Sequence, residues 1–176
     1  AQHTIPQAEL DRVAAGFVSP VSAHSSGEDA QRHLDTACAQ DAAFARWVKH
    51  NVAAHRNPQL RAVTLSFKRL GFAPGDATAD QLDAAATLAD TYSAAEVRVT
   101  HSQNLLLPWV RADQLPALWR EAHQLGLARP NIGLLTDMIA CPGGDYCALA
   151  NARSLPIAQA ITERFEDLDE LFDLGN

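Results

Sequence analysis

Between residues 28 and 50 the apolar positions recur at three- and four-residue steps. Leu34, Ala37, Cys38, Phe44, Trp47 and Val48 fall on this stripe, which predicts a helix with one inward face. Residues 1–27 show no such period, and the Ser-, Pro- and Gly-rich VSPVSAHSSGEDA reads as a loop or linker. Further on, LRAVTLSFKRL has the β-branched and aromatic content of a strand. GFAPGDATADQLDAAATLADTY predicts a helix that starts at a Thr78–Gln81 capping box and turns Leu82, Ala85, Ala86 and Ala89 inward. AEVRVTHSQNLLLPWV predicts two short strands about a polar break at 101–104. The clearest helix is RADQLPALWREAHQLGL. There Leu115, Leu118, Trp119 and Ala122 make the apolar face, Asp113 caps the start and Gly126 ends it. NIGLLTDMIA predicts a last strand running straight into the loop CPGGDYC. A final helix from Ser154 turns Ile157, Ala160, Ile161 and Phe165 inward. Its end is acidic (Glu163, Glu166, Asp167, Asp169, Glu170, Asp173) and reads as a solvated face.

From residue 60 to 140 the order is strand, helix, strand, strand, helix, strand. That is the α+β, ferredoxin-like (split βαβ) arrangement, an antiparallel sheet with two helices on one face. The predicted divisions are an irregular linker and helix at 1–55, the ferredoxin-like half-domain at 56–140, and a further unit starting at 141–176.

Composition narrows the function classes. With 176 residues, 47% hydrophobic and 20% charged, the chain can bury a real core. A net charge of -7 argues against nucleic acid as a partner. No run of about 18 apolar residues predicts a membrane span. The first residues lack the pattern of a signal peptide, and three cysteines are too few for a secreted disulfide scaffold, so the predicted location is cytoplasmic. The first residue is Ala1 rather than Met, which predicts a chain cut from something longer.

Two of the three cysteines, Cys141 and Cys147, flank the turn Pro-Gly-Gly-Asp-Tyr. Gly143 and Gly144 let the backbone fold closely around a neighbour. Two thiolates on such a turn can hold adjacent corners of an iron–sulfur cluster. Zinc sites favour shorter steps and redox dithiols a two-residue gap, and two unligated structural thiols remain a third alternative. The spacing leaves cluster, dithiol and inert thiols open. Cys38, on the predicted core face, reads as a small packed apolar residue.

The stretch CPGGDYCALANARS resembles the first cysteine motif of the siroheme-dependent sulfite and nitrite reductases, where C-x5-C is followed later by C-x3-C. EVRVTHSQNLLLPWV, LPALWREAHQLGL and NIGLLTDMIACPG resemble the second ferredoxin-like half-domain of that family, and VTLSFKRLGFAPGDATADQLDAAATLA its opening strand and helix. The likeness runs over about residues 44–165. It implies a 4Fe-4S cluster and siroheme as cofactors, with Cys141 and Cys147 as two of the three non-bridging metal ligands. The bridging cysteine belongs to the later motif. It further implies that Ala140 and Ala150 lie against siroheme, and that Arg98, Gln103, Asn104 and Lys68 occupy the pseudo-symmetric copy of the cofactor and anion site. His101 and His123 read as exposed polar residues. The resemblance implies an oxidoreductase that reduces sulfite to sulfide or nitrite to ammonia by six electrons. The implied partners are the remainder of the polypeptide, a ferredoxin or flavoprotein donor and a small anion substrate. With no C-x3-C and no first half-domain, the chain is expected to be an inactive fragment containing no catalytic residue. The rival expectations are a standalone binding or regulatory module without cofactor, and a small redox protein cycling a Cys141–Cys147 disulfide.

Overall fold

The computed structural model describes residues 4–17 and 27–166. Six helices are described: α1 (Gln7–Ala14), α2 (Gly27–Gln40), α3 (Ala42–Asn51), α4 (Ala79–Tyr92), α5 (Leu115–Gln124) and α6 (Leu155–Phe165). Four strands, β1 (Val52–Ala54), β2 (Leu60–Leu65), β3 (Arg98–Val99) and β4 (Leu105–Arg111), form one antiparallel sheet in the order β1-β2-β4-β3. The α+β, ferredoxin-like class read from the sequence is the class observed.

The core lies between the sheet and the helices. Val63, Leu65, Leu107 and Val110 project from the strands to meet Phe44 and Trp47 of α3, Leu88 of α4, and Leu115 and Leu118 of α5. Thr78 caps α4 through a complete capping box, its side chain accepting from the Gln81 N–H while Gln81 accepts from the Thr78 N–H. The end of α5 closes on Gly126 at φ +70, with the Leu127 N–H donating to the Ala122 carbonyl.

Several local readings are corrected. The stripe at 28–50 is two helices, because the Asp41 carboxylate accepts from the Ala43 and Phe44 N–H groups and starts α3 afresh. The same stripe nevertheless packs inward, Cys38 included. Residues 7–14 form α1, which buries none of its side chains, so no core-facing period marked it. On α4 the inward residues are Gln81, Ala85, Leu88, Ala89 and Tyr92, while Leu82 and Ala86 face out. On α6 the buried residues are Ala158 and Thr162, whereas Ile157 and Ala160 are exposed and Ile161 and Phe165 half-buried. Asp113 binds Arg111 instead of capping α5. Most of the linker reading (residues 18–26) and the acidic residues Asp167, Asp169, Glu170 and Asp173 lie outside the described residues.

The predicted last strand is absent. Gly133 sits at φ +80, the Leu134 N–H turns back to the Asn131 carbonyl, and the Asp137 N–H turns back to Leu134 in a single 3₁₀ turn. Side chains hold this bent path, since Asp137 accepts from the Gly133 N–H and Asn131 donates to Thr136. The sheet edge beside β2 goes instead to β1, paired Val52↔Val63 to Ala54↔Arg61. Just before β1, at the end of α3, the Asn51 amide donates to the Thr64 and Arg129 carbonyls at 3.0 Å each.

Tyr92, at the end of α4, is buried and donates its hydroxyl to Glu121 of α5. Burial first, then this bond to a carboxylate, pushes its hydroxyl up from 10.0 to about 12. The folded state therefore keeps a proton that the unfolded chain releases. The stabilisation is complete below about pH 10 and is lost as pH rises toward about 12. We predict that the melting temperature falls over this window and that Tyr92→Phe flattens the fall; an equally steep fall in Tyr92→Phe would refute the assignment. Among the described residues, no helix is long and apolar enough to cross a membrane.

Candidate functional site

The cysteine loop docks on the sheet through the polar break that precedes β4. Gln103 adopts φ +57, in the left-handed region. Its amide clasps the residue before Cys141 from both sides: Nε2 donates to the Ala140 carbonyl (2.9 Å), and Oε1 accepts from the Ala140 N–H (3.1 Å). Asn104, buried beside it, accepts from the Phe67 N–H (3.0 Å) and donates to the Asp137 carboxylate (2.8 Å). Lys68, 2% exposed, donates from Nζ to the Ser102 carbonyl at 2.7 Å. Burial lowers its amine below the ordinary lysine range, and the nearby Asp137 carboxylate opposes that shift. The end of β2, the break at 100–104 and the segment entering the loop are thus tied together by side-chain amides, a lysine and a carboxylate.

The loop itself is a tight turn. The Tyr146 and Cys147 N–H groups both donate to the Gly143 carbonyl, and the Gly144 N–H donates to the Ala152 carbonyl. Ser154, at the start of α6, donates its hydroxyl to the Cys141 carbonyl. Arg153 pairs with Asp145 across the turn. Gly143 is buried at φ +59, and a Cβ there would stand 2.6 Å from the Ala152 carbonyl oxygen. Only glycine fits.

Cys141 and Cys147 are exposed free thiols. Around them Ile139, Tyr146, Leu149 and Ile157 expose apolar surface, Leu149 at 91% and Tyr146 at 80%. A cavity of about 330 Å³ opens beside the loop, lined by Gly75, Asp76, Gln103, Ala140, Pro142 and Tyr146. Among the described residues, no group of three or more His, Cys, Asp or Glu side chains converges to hold a metal ion. The chemistry on offer is two soft, solvent-facing thiols on a hydrogen-bonded turn beside an apolar surface and a cavity.

The elements leading into this loop have known counterparts. Residues 59–125, from the start of β2 to the end of α5, match the nitrite/sulfite reductase ferredoxin-like half domain. This stretch belongs to the nitrite/sulfite reductase family. The half domain has relatives among enzymes named ferredoxin--nitrite reductase. The chloroplastic protein of Arabidopsis thaliana is 34% identical over 113 residues, 64% of this chain and 19% of that protein. That of Zea mays is 32% identical over 139 residues, 74% of this chain and 24% of that protein. The Synechococcus elongatus enzyme is 34% identical over 109 residues, 60% of this chain and 21% of its own length. The chain thus spans about a fifth to a quarter of the relatives it matches.

The residues singled out from the sequence separate clearly. Gln103 and Ala140 touch, Asn104 reaches the same junction through Asp137, and Lys68 holds the break from behind. Ala150 is half-buried within the loop, its N–H donating to the Cys147 carbonyl. Arg98 is not drawn into this junction; it pairs with Glu96 and lies over the Trp109 ring. His101 and His123 are exposed. The sequence reading missed Asp137, Ser154 and Gly75. Asp137 was hidden because 131–140 was read as a strand, although Asn131, Gly133, Thr136 and Asp137 together carry the turn signal.

Proposed function

We propose that this chain is the second ferredoxin-like half-domain and the first cluster loop of a longer siroheme and 4Fe-4S reductase, which takes nitrite to ammonia with ferredoxin as electron donor. The observation that carries the reading is a matched half domain bearing an exposed two-thiol turn, fastened to it by the Gln103 clasp on Ala140. The names of the relatives favour nitrite over sulfite and ferredoxin over a flavoprotein. In this reading the half-domain occupies residues 56–140, with β1 paired to its strand β2, and the unit from 141 onward begins the cofactor-binding region.

The donor set fits two corners of a four-iron cluster. Cys141 and Cys147 are soft ligands, open to an incoming group and held at a spacing fixed by the Gly143 turn, and the remaining thiolates must come from elsewhere in the protein. When bound, the cluster would relay electrons from the donor and siroheme would offer the iron at which the anion is reduced. The residues of this chain would anchor the cluster edge through the loop: Gln103 fixes Ala140, Ser154 fixes the Cys141 carbonyl, and Gly143 admits the close return of the Ala152 backbone. Arg98, engaged by Glu96, is the weakest member of the proposed cofactor set.

Reading the native gene past the codon for Asn176 tests the proposal. An in-frame C-x3-C within a few dozen codons supports it, and an immediate stop codon overturns it. A companion prediction concerns the chain alone. Two thiolates cannot complete a cluster, so anaerobic reconstitution is expected to leave it well short of about four irons and four sulfides per chain. Finding that full complement would contradict the half-site reading.

A further inference from the structure

The cysteine turn is closed at its base by its own two ends. The Ser154 hydroxyl donates to the Cys141 carbonyl, and the Gly144 N–H donates to the Ala152 carbonyl at 2.8 Å. The entering end is fastened to the sheet by Gln103. The leaving end runs into α6, which buries only Ala158 and Thr162 of its eleven residues. Tertiary packing is what normally holds so short a helix, and here there is little of it. A charged side chain grips the far end of α6 instead.

Arg129 bridges the end of β2 and the end of α6. Its Nη1 donates to the Lys68 carbonyl (2.7 Å), just past β2, and its Nη2 donates to the carboxylate of Glu166, just past α6. The side chain is 19% exposed, so salt screens this pair less than one on the open surface. The backbone that carries Arg129 is itself fixed. The Ser66 N–H donates to the Leu127 carbonyl, the Asn51 amide to the Arg129 carbonyl, and the Ser66 hydroxyl to the Asn131 side chain. A planar, permanently charged fork on a fixed stem can hold two elements at one spacing. Lys68 serves both ends of the turn: its carbonyl accepts from Arg129, and its Nζ donates to the Ser102 carbonyl, next to Gln103. We propose that Arg129 is a positioning residue for the cysteine turn: by pairing with Glu166 it seats α6 against the end of β2, and α6 through Ser154 fixes the Cys141 carbonyl. The purpose of that positioning, presenting two thiolates to a cluster, rests on the half-site reading above; the brace itself does not depend on it.

Amide hydrogen exchange, read residue by residue by NMR on the 176-residue chain, tests the brace. The Gly144 and Cys147 amides bond within the turn, and the Ala158 amide bonds to the Ser154 carbonyl of α6. The Ala112 amide, bonded to the Gln59 carbonyl at the opposite end of the β2–β4 pair, is the internal control. Glu166→Ala leaves the Arg129–Lys68 bond in place and is expected to speed exchange at Gly144, Cys147 and Ala158 about fivefold, with Ala112 unchanged. Arg129→Met, which loses both bonds, is expected to speed it at least about tenfold, and Glu166→Gln, which keeps an oxygen acceptor, to stay within about twofold of the parent. Glu166 stands at a helix end, so its variants keep the test open if Arg129→Met fails to fold. Parent rates at all three amides in Glu166→Ala would overturn the proposal. So would a matching rise at Ala112, which marks a general loss of stability, or turn amides that exchange unprotected in the parent. No cofactor enters this measurement, so a negative result leaves the half-site reading standing, and a stop codon after Asn176 leaves the brace standing.

Discussion

Trp47→Ala is expected to destabilise the protein by about 3–5 kcal/mol, a large share of the roughly 5–15 kcal/mol that holds a domain of this kind together. Trp47 is 0% exposed and stands where α3 meets the rest of the core. Its ring lies 5.9 Å from that of Phe44, which in turn meets Trp119 of α5 edge-on at 5.5 Å. Removing the indole deletes one end of this stack and leaves a cavity that neighbouring aromatic rings cannot collapse to fill. Among the described residues the indole N–H has no hydrogen-bond partner. Trp47→Phe therefore forfeits volume and no bond, and less than half of the loss is expected from it. Urea unfolding of the two variants measures both numbers. A Trp47→Ala midpoint unchanged from the parent would mean that α3 is not part of the cooperative unit.

In the longer protein proposed above, Cys141→Ala and Cys147→Ala are each expected to lower cluster content and nitrite reduction by at least about a hundredfold. A missing thiolate cannot be replaced from within the loop, because no third metal-binding side chain converges there among the described residues. Cys38→Ala is the matched control. Its thiol packs on the inner face of α2, where burial and then Asp35 push it up toward the protonated form, so its loss is expected to leave the iron content unchanged. Iron and sulfide analysis, together with the visible spectrum of each variant, provides the measurement. A full complement of iron in Cys147→Ala would remove Cys147 from the ligand set, whatever the activity did.

The sequence revealed most where period and boundary signals agreed. On α5, four apolar positions, a terminal Gly126 and a strong polar face all marked the same helix, and the structure places it there. On α4 the capping box was legible to the residue. The apolar phase was not, because in an alanine-rich helix almost any rotation presents small apolar side chains and the buried face is chosen by what packs on it. The missing last strand shows the opposite case. Residues 131–140 contain enough Ile, Leu and Met to resemble a strand, yet Asn131 and Asp137 spend their side chains on the backbone and bend it into a turn. Strand β1 is only three residues long, too short for alternation to register. In the candidate site, the Cys-Pro-Gly-Gly-Asp-Tyr-Cys turn was visible as such. The clasp of Gln103 on Ala140 was not, since no local pattern links residues 37 positions apart; only the likeness to a family brought the two residues into one list.

Gly75 carries no chemistry and lies far from the cysteines in sequence, yet its empty side is filled by Gln103, whose Cβ lies 2.7 Å from where a Gly75 Cβ would be. Gln103 has no slack to yield, because its backbone already sits at φ +57 and both ends of its amide are committed to Ala140. A methyl group at position 75 is thus a lever on the cysteine turn. In a deep mutational scan scored by cofactor retention, position 75 should behave like a ligand-shell residue. Scored by folding alone, it should show only the cost of a half-buried glycine at φ +85.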